Sequence, residues 1–331
     1  MASLISRLVD RLLEGDRRAL SRLFTLLEQD ADALSSVMAA VNSRVGKAYC
    51  IGITGPPGAG KSTIVDGLIQ IARAQGSTVG VLAVDPTSPF SGGAVLGDRI
   101  RMQRHSLDPG VFMRSLATRG FHGGVSRTAR ACVRLLDAFG KDLVFVETVG
   151  VGQTELDIMR VADSVVVCLV PEAGDAIQTM KAGLMEIADI FVVNKADRDG
   201  ARRLATAIGS MLDLKSARSW WTQPVLLTRA DRNEGIQELF DSVTDHRRVL
   251  QETENLDLRR RQRQREEFVR TLKEAVEVEI AGLLVGDGSL NEMAAKVESG
   301  DLDPYSAAAQ VLAEGHLFSQ LVKEVGDPTD S

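Results

Sequence analysis

From Ala48 to about Leu250, short apolar runs alternate with stretches in which aliphatic residues recur every three or four positions. The runs predict strands over Ala48–Thr54, Thr78–Val84, Val111–Ser115, Leu143–Glu147, Ser164–Val170, Ile190–Val193 and Val225–Thr228. Their apolar character is continuous rather than alternating, which predicts burial on both faces of a largely parallel sheet covered by helices. Before this core, Leu4, Leu8, Leu12, Leu20, Leu23, Leu27, Leu34 and Val41 fall at roughly helical spacing. Gly15-Asp16 breaks that pattern, with Asp16 placed to cap a second helix. After Gln251 one long helix is expected over Leu256–Leu284, then a Gly286-Asp287-Gly288 turn and helices near Leu290–Ser299 and Pro304–Gly315. Asp303-Pro304 gives the last of these a cap and a proline at its first position, and Gly326–Ser331 reads as frayed. The expected division is a helical extension over 1–46, an α/β core over 47–250 and a helical arm over 251–331.

The chain has 331 residues, enough to bury a sizeable core, with 44% hydrophobic and 25% charged residues. A formal charge of −6 and only 4% aromatics argue against nucleic-acid binding. No apolar run is long enough to span a bilayer, and Asp10, Glu14 and Asp16 speak against a transit peptide. Cys50, Cys132 and Cys168 lie far apart without a C-x-x-C pair, as expected of reduced core thiols in the cytoplasm.

Chemistry enters with Gly55-Pro56-Pro57-Gly58-Ala59-Gly60-Lys61-Ser62, a full G-x-x-x-x-G-K-[ST] between an expected strand and a helix that opens at Thr63. Glycines let backbone N–H groups wrap phosphates, and the helix N-terminus favours negative charge. Lys61 is expected on the β- and γ-phosphates and Ser62 on Mg²⁺.

Asn194-Lys195-Ala196-Asp197 follows the strand Ile190–Val193, where an N-K-x-D guanine reader belongs. A carboxylate at Asp197 can accept from guanine N1 and N2, donors that adenine does not offer together. Asn194 is expected to position the loop and reach the O6/N7 side, with Lys195 along the base. Thr228-Arg229-Ala230 lies where a second base-contacting loop would be. Glu147-Thr148-Val149-Gly150 resembles the D-x-x-G switch with Glu for Asp: Glu147 can hold Mg²⁺ through water and the Gly150 N–H can bind the γ-phosphate. Asp85, at a strand end, and Asp98 are further candidates for Mg²⁺ or the attacking water. The position after the switch glycine is Val151, and Gln153 comes two residues later, which predicts slow hydrolysis accelerated by a partner.

These blocks, with Ala83–Ser88, Gly92-Gly93, Leu96–Arg99, Arg114-Ser115, Ala117–Gly120, Gly123-Gly124, Glu147–Gln153, Gly174-Asp175, Gln178 and Lys181, resemble the methylmalonyl-CoA mutase-associated GTPases of the MeaB/ArgK type. Glu14–Leu20 and Asp303–Ala308 extend the resemblance over nearly the whole chain. It implies a SIMIBI-type P-loop NTPase core and a C-terminal arm that forms a homodimer. It further implies GTP-dependent delivery of adenosylcobalamin to an adenosylcobalamin-dependent acyl-CoA mutase, protection or reactivation of that mutase, and contact with the adenosyltransferase. Adenosylcobalamin is expected only through the partner. Carried over by position, the switch segments are the regions around Asp98–Arg119, Glu147–Gln153 and Pro171–Lys181, with Lys181 among the catalytic residues. Glu172, Ala176 and Thr179 depart from the family pattern, as does Arg229, where a small residue is usual.

Three other readings stay open: a nickel-insertion GTPase of the same core class, a protein kinase acting on a transport-binding protein, and a structural adaptor that binds GTP without hydrolysing it. His105, His122, His246 and His316 show no metal-ligand spacing, which disfavours the first, and Asp197 disfavours an ATP-dependent kinase. The run Arg259, Arg260, Arg261, Arg263, Arg265 is read as a solvated, ion-paired helix face.

Overall fold

The computed structural model describes residues 2–30, 32–85, 103–105, 107–117, 127–148, 157–171, 183–215, 220–285 and 289–313. They form α1 (Ala2–Leu13), α2 (Arg17–Gln29), α3 (Asp32–Val41), β1 (Tyr49–Thr54), α4 (Lys61–Ala74), β2 (Val79–Asp85), β3 (Val111–Ala117), α5 (Arg127–Ala138), β4 (Leu143–Thr148), β5 (Ser164–Leu169), β6 (Ile190–Asn194), α6 (Ala201–Lys215), β7 (Val225–Thr228), α7 (Ile236–Glu252), α8 (Asn255–Val285), α9 (Ser289–Glu298) and α10 (Pro304–Ala313). Each expected strand is present within two residues of its expected ends. The Gly286–Gly288 turn and the Gly326–Ser331 tail lie outside the described residues.

The seven strands form one sheet in the order β3-β2-β4-β1-β5-β6-β7, every pair parallel. Alternate residues of a strand point to opposite faces, and here both faces are apolar. Val165, Val167 and Leu169 join a core with the N-terminal helices and α5, while Val166, Cys168 and Val170 join a second core with α4 and α7. A fully buried aliphatic side chain contributes roughly 1.5–3 kcal/mol, so this double burial explains why the strands read as unbroken apolar runs. All three cysteines are buried thiols outside any disulfide.

Two compact units divide the chain, residues 1–259 and 260–331. In the first, α1, α2 and α3 share the core of one sheet face through Leu12, Leu20, Leu23, Phe24, Val37 and Val41. Asp16 caps α2 by accepting from the Arg18 and Ala19 amides at 2.7 and 3.3 Å. In the second, α9 and α10 pack together, and Asp303 caps α10 by accepting from the Tyr305 and Ser306 amides at 3.0 Å. No described helix is long and apolar enough to cross a membrane.

At the N-terminal end of the sheet lies a buried polar network. The Tyr49 and Ser164 hydroxyls are 2.6 Å apart, and Ser164 lies 2.7 Å from His246 Nδ1. Both Trp220 and Trp221 pack on the His246 ring. Arg259 donates to Asp189 at 3.2 and 3.3 Å and lies over Trp220. The first arginine of the basic run is therefore ion-paired, as expected, but half-buried as an anchor on the first unit rather than freely solvated.

Candidate active site

The C-terminal ends of β1, β4, β6 and β7 gather the polar residues singled out in the sequence, as expected of an open parallel sheet. From β1 the chain turns through Gly55–Gly60 into α4, whose first residues are Lys61, Ser62 and Thr63. Two glycines are required by contact as well as conformation. A Cβ on Gly55 (φ +136°) would lie 1.9 Å from the Cys168 carbonyl oxygen, and one on Gly60 (φ +85°) would lie 2.3 Å from Asn194 Nδ2. At these two positions the loop rests on β5 and on the end of β6 with no space for a Cβ. Lys61 is buried and donates from Nζ to the Gly55 and Pro56 carbonyls at 2.9 and 3.1 Å.

Parallel pairing sets Ile53 beside Glu147, so the end of β4 lies next to the loop. The Ser62 hydroxyl donates to Glu147 Oε1 at 2.6 Å, and both residues are buried. Behind them Thr148 donates to Thr54 at 2.8 Å. Hydroxyl and carboxylate are hard oxygen donors, the kind Mg²⁺ takes beside substrate phosphates, and the pair fits that ion. Asp85 is the last residue of β2, beside Ala117 of β3. Asp98, Gly150, Gln153 and Lys181 lie outside the described residues.

Asn194 ends β6 and is 3% exposed. Its Nδ2 donates to the Ala59 carbonyl at 2.8 Å, and its Oδ1 accepts from the Thr228 hydroxyl at 3.0 Å and from the Ala230 amide at 3.1 Å. One side chain therefore joins the phosphate loop, the 194–197 loop and the 228–230 loop. The pattern of residues marked Asn194 but carried no sign of these three partners. The turn that follows holds Lys195 at φ +57° and is closed by Ala196 N–H to the Thr228 carbonyl and Arg198 N–H to the Lys195 carbonyl, each 3.0 Å. Asp197 is about half exposed, and Arg229 Nε approaches its carboxylate at 3.4 Å while Nη1 reaches Glu234 at 3.3 Å. Pairs this exposed are worth under about 1 kcal/mol, so they orient rather than stabilise.

Sequence reasoning missed the cluster around Asp66, one turn along α4 from Ser62. His105 Nε2 lies 2.9 Å from Asp66 Oδ1, Gln70 donates to Oδ2 at 3.0 Å, and Arg104 reaches Oδ2 at 3.3 Å. Nothing in a lone Asp and a distant His marks such a pairing. Cys168, beside the loop, has its thiol pushed up to about 12 by burial, with Lys61 pulling it down and Glu147 pushing it up, so it stays protonated and unreactive.

Comparison with known proteins agrees with this arrangement. The family described as methylmalonyl Co-A mutase-associated GTPase MeaB matches residues 20–282. A protein of Pyrococcus abyssi named as a GTPase is 49% identical over 322 residues, covering 94% of this chain and 97% of its own. GTPase ArgK of Escherichia coli is 36% identical over 250 residues, 73% of this chain and 76% of its own. A crystal structure described as a LAO/AO transport system kinase superposes with a TM-score of 0.71 at 27% identity, covering 94% of this chain and 97% of that one. With a phosphate loop, a buried Ser–Glu pair and an Asn-centred base loop on this sheet, the chain belongs to the methylmalonyl-CoA mutase-associated GTPase family and is a P-loop GTPase.

Proposed function

We propose that this GTPase is a switch that gates adenosylcobalamin delivery to an adenosylcobalamin-dependent acyl-CoA mutase and protects or reactivates that enzyme. The observation that carries the switch reading is the 2.6 Å contact between Ser62 and Glu147, because Glu147 leads directly into the Gly150–Gln153 segment. Bound Mg²⁺ would supply charge neutralisation at the phosphates, held by Ser62 and Glu147 with Asp85 and Asp98 as further carboxylates. Gly55–Gly60 would present backbone amides to the phosphates, and Lys61 would exchange its two carbonyl contacts for β- and γ-phosphate oxygens. Thr63 would extend the helix N-terminus towards the same charge. Asp197 would accept from guanine N1 and N2, Lys195 would lie along the base, and Thr228, Arg229 and Ala230 would close its other side. Both ends of the Asn194 carboxamide are engaged within the protein, which supports a positioning role for it. Gly150 would sense the γ-phosphate, and Gln153 and Lys181 would act in hydrolysis once a partner engages their segments.

The partner reading rests on the family's description as mutase-associated. The second unit supports a homodimer: Phe268, Leu272 and Val278 of α8 are 66%, 52% and 70% exposed, apolar surface that a second arm would cover. The adenosyltransferase is a further partner, and the cytoplasm the proposed location. A kinase role is the second reading, favoured only by the description of the superposed crystal structure. Turnover of GTP and ATP, with and without a purified acyl-CoA mutase, tests the proposal. The expected result is slow GTP turnover alone, acceleration by the mutase and no ATP turnover. Fast solitary turnover, or a preference for ATP, would overturn it.

A further inference from the structure

Far along the sheet from β1, the edge strand β3 and helix α2 border an open cavity of about 540 Å³, with Arg18 and Arg22 exposed at its rim. Arg17, Arg18, Arg22 and Arg114 line it, together with the hydroxyl residues Ser21 and Thr25. Four guanidinium groups in one cavity are unexpected in a chain of net charge −6. Arg18 and Arg22 stand one helical turn apart, a like-charge spacing that weakens an isolated helix.

Neighbouring carboxylates compensate little of this charge. Asp16 is taken by Arg11, and Asp108 is taken by Arg73 through two hydrogen bonds of 2.8 and 3.0 Å. Arg17 spends Nη1 on the Asp108 and Pro109 carbonyls. Arg114 has an acidic partner, Glu28 at 2.5 Å, with Thr25 at 3.4 Å. Among the described residues, neither Arg18 nor Arg22 has an ion-pair partner, and Arg114 Nε is buried without a hydrogen bond.

We propose that this cavity binds a phosphorylated small molecule, its phosphate held by Arg18, Arg22 and Arg114. Guanidinium forks match phosphate oxygens in pairs, and the Ser21 hydroxyl adds a donor from the same helix face, while the Thr25 hydroxyl donates to the Ser21 carbonyl at 3.1 Å. A phosphate monoester can carry two charges and so offsets more of the surplus than one carboxylate. The volume lies in the range of small-molecule sites, and Phe112 and Met113 of β3 complete the lining.

The test is calorimetric titration of the full chain, presaturated with GDP and Mg²⁺ so that the phosphate loop does not compete. The probes are inorganic pyrophosphate, ribose 5-phosphate and a hexaglutamate peptide. Both phosphate probes are expected to bind at one per chain, about tenfold more weakly in Arg22→Ala and more weakly still in R18A/R22A. The melting temperature of R18A/R22A without probe should equal or exceed that of the parent, since like-charge repulsion is relieved. Equal pyrophosphate affinity in parent and double variant overturns the proposal, as does absence of binding to the parent. Binding of hexaglutamate with both phosphates inert also overturns it, by assigning the cavity to an acidic peptide.

Discussion

The Ser62 hydroxyl donates to the Glu147 carboxylate at 2.6 Å, joining the first turn of the phosphate-loop helix to the penultimate residue of β4. Residues that are 85 positions apart thus form one oxygen-rich pocket beside the phosphate loop. Glu147→Gln keeps the size of the side chain and removes its charge. GTP turnover by this variant is expected to need at least about tenfold more Mg²⁺ for half-maximal rate. An unchanged Mg²⁺ titration would remove Glu147 from the metal site.

Asn194 satisfies three buried or partly buried backbone and hydroxyl groups at once. Asn194→Ala leaves the Ala59 carbonyl, the Thr228 hydroxyl and the Ala230 amide unpaired. A buried unsatisfied polar group costs roughly 1–3 kcal/mol, so urea unfolding should show a loss of about 3 kcal/mol and guanine-nucleotide affinity should fall with it. A full-affinity variant of parental stability would show that the three loops hold their places without this side chain.

Asp197 differs, because its half-exposed carboxylate faces Arg229 and bears little of the fold. Asp197→Asn should leave the urea midpoint within about 0.5 kcal/mol of the parent. Its affinity for GTP should drop by at least about tenfold while xanthosine triphosphate gains, since an amide donates where the carboxylate accepted. Competition binding with the two triphosphates measures this directly, and undiminished GTP preference would rule out base reading by Asp197.

Gly55 and Gly140 both have positive φ, yet they should respond differently to alanine. A Cβ at Gly55 meets the Cys168 carbonyl at 1.9 Å, whereas one at Gly140 (φ +86°) meets nothing within 4 Å. Gly140→Ala bears only the left-handed backbone penalty, about 1 kcal/mol. Gly55→Ala must also displace backbone and should cost about 3 kcal/mol or more, with loss of nucleotide binding. Thermal melts of the pair, with and without GDP, compare them; equal losses would place the loop away from β5.

His246 is buried, and that burial holds its imidazole below the ordinary value, with Arg259 acting in the same direction while Asp189 and Asp163 oppose. Ser164, Trp220 and Trp221 complete its surroundings. The unfolded chain takes up a proton near pH 6.5, while the folded site resists it. The contribution is therefore full above about pH 6.5 and is lost as pH falls through the lowered folded value. Urea midpoints at pH 7.5 and 5.5 should differ more for the parent than for His246→Gln. Identical differences would mean that another group sets the acid limb.

By itself, the sequence determined the strands, the phosphate loop and the guanine-loop pattern. Strands buried on both faces must be apolar throughout, and a loop that wraps phosphate needs glycines at fixed spacing, so both leave marks in residue order. Asp16 and Asp303 were legible for the same reason, since a helix cap acts within three residues. Tertiary structure alone decided what lies across the sheet: the direct hydrogen bond between Ser62 and Glu147, Asn194 between three loops, Arg259 as an anchor and Arg114 among the arginines of α2. Such pairings depend on strand order, which no local periodicity encodes. They become visible only when parallel register brings the ends of distant strands to one edge.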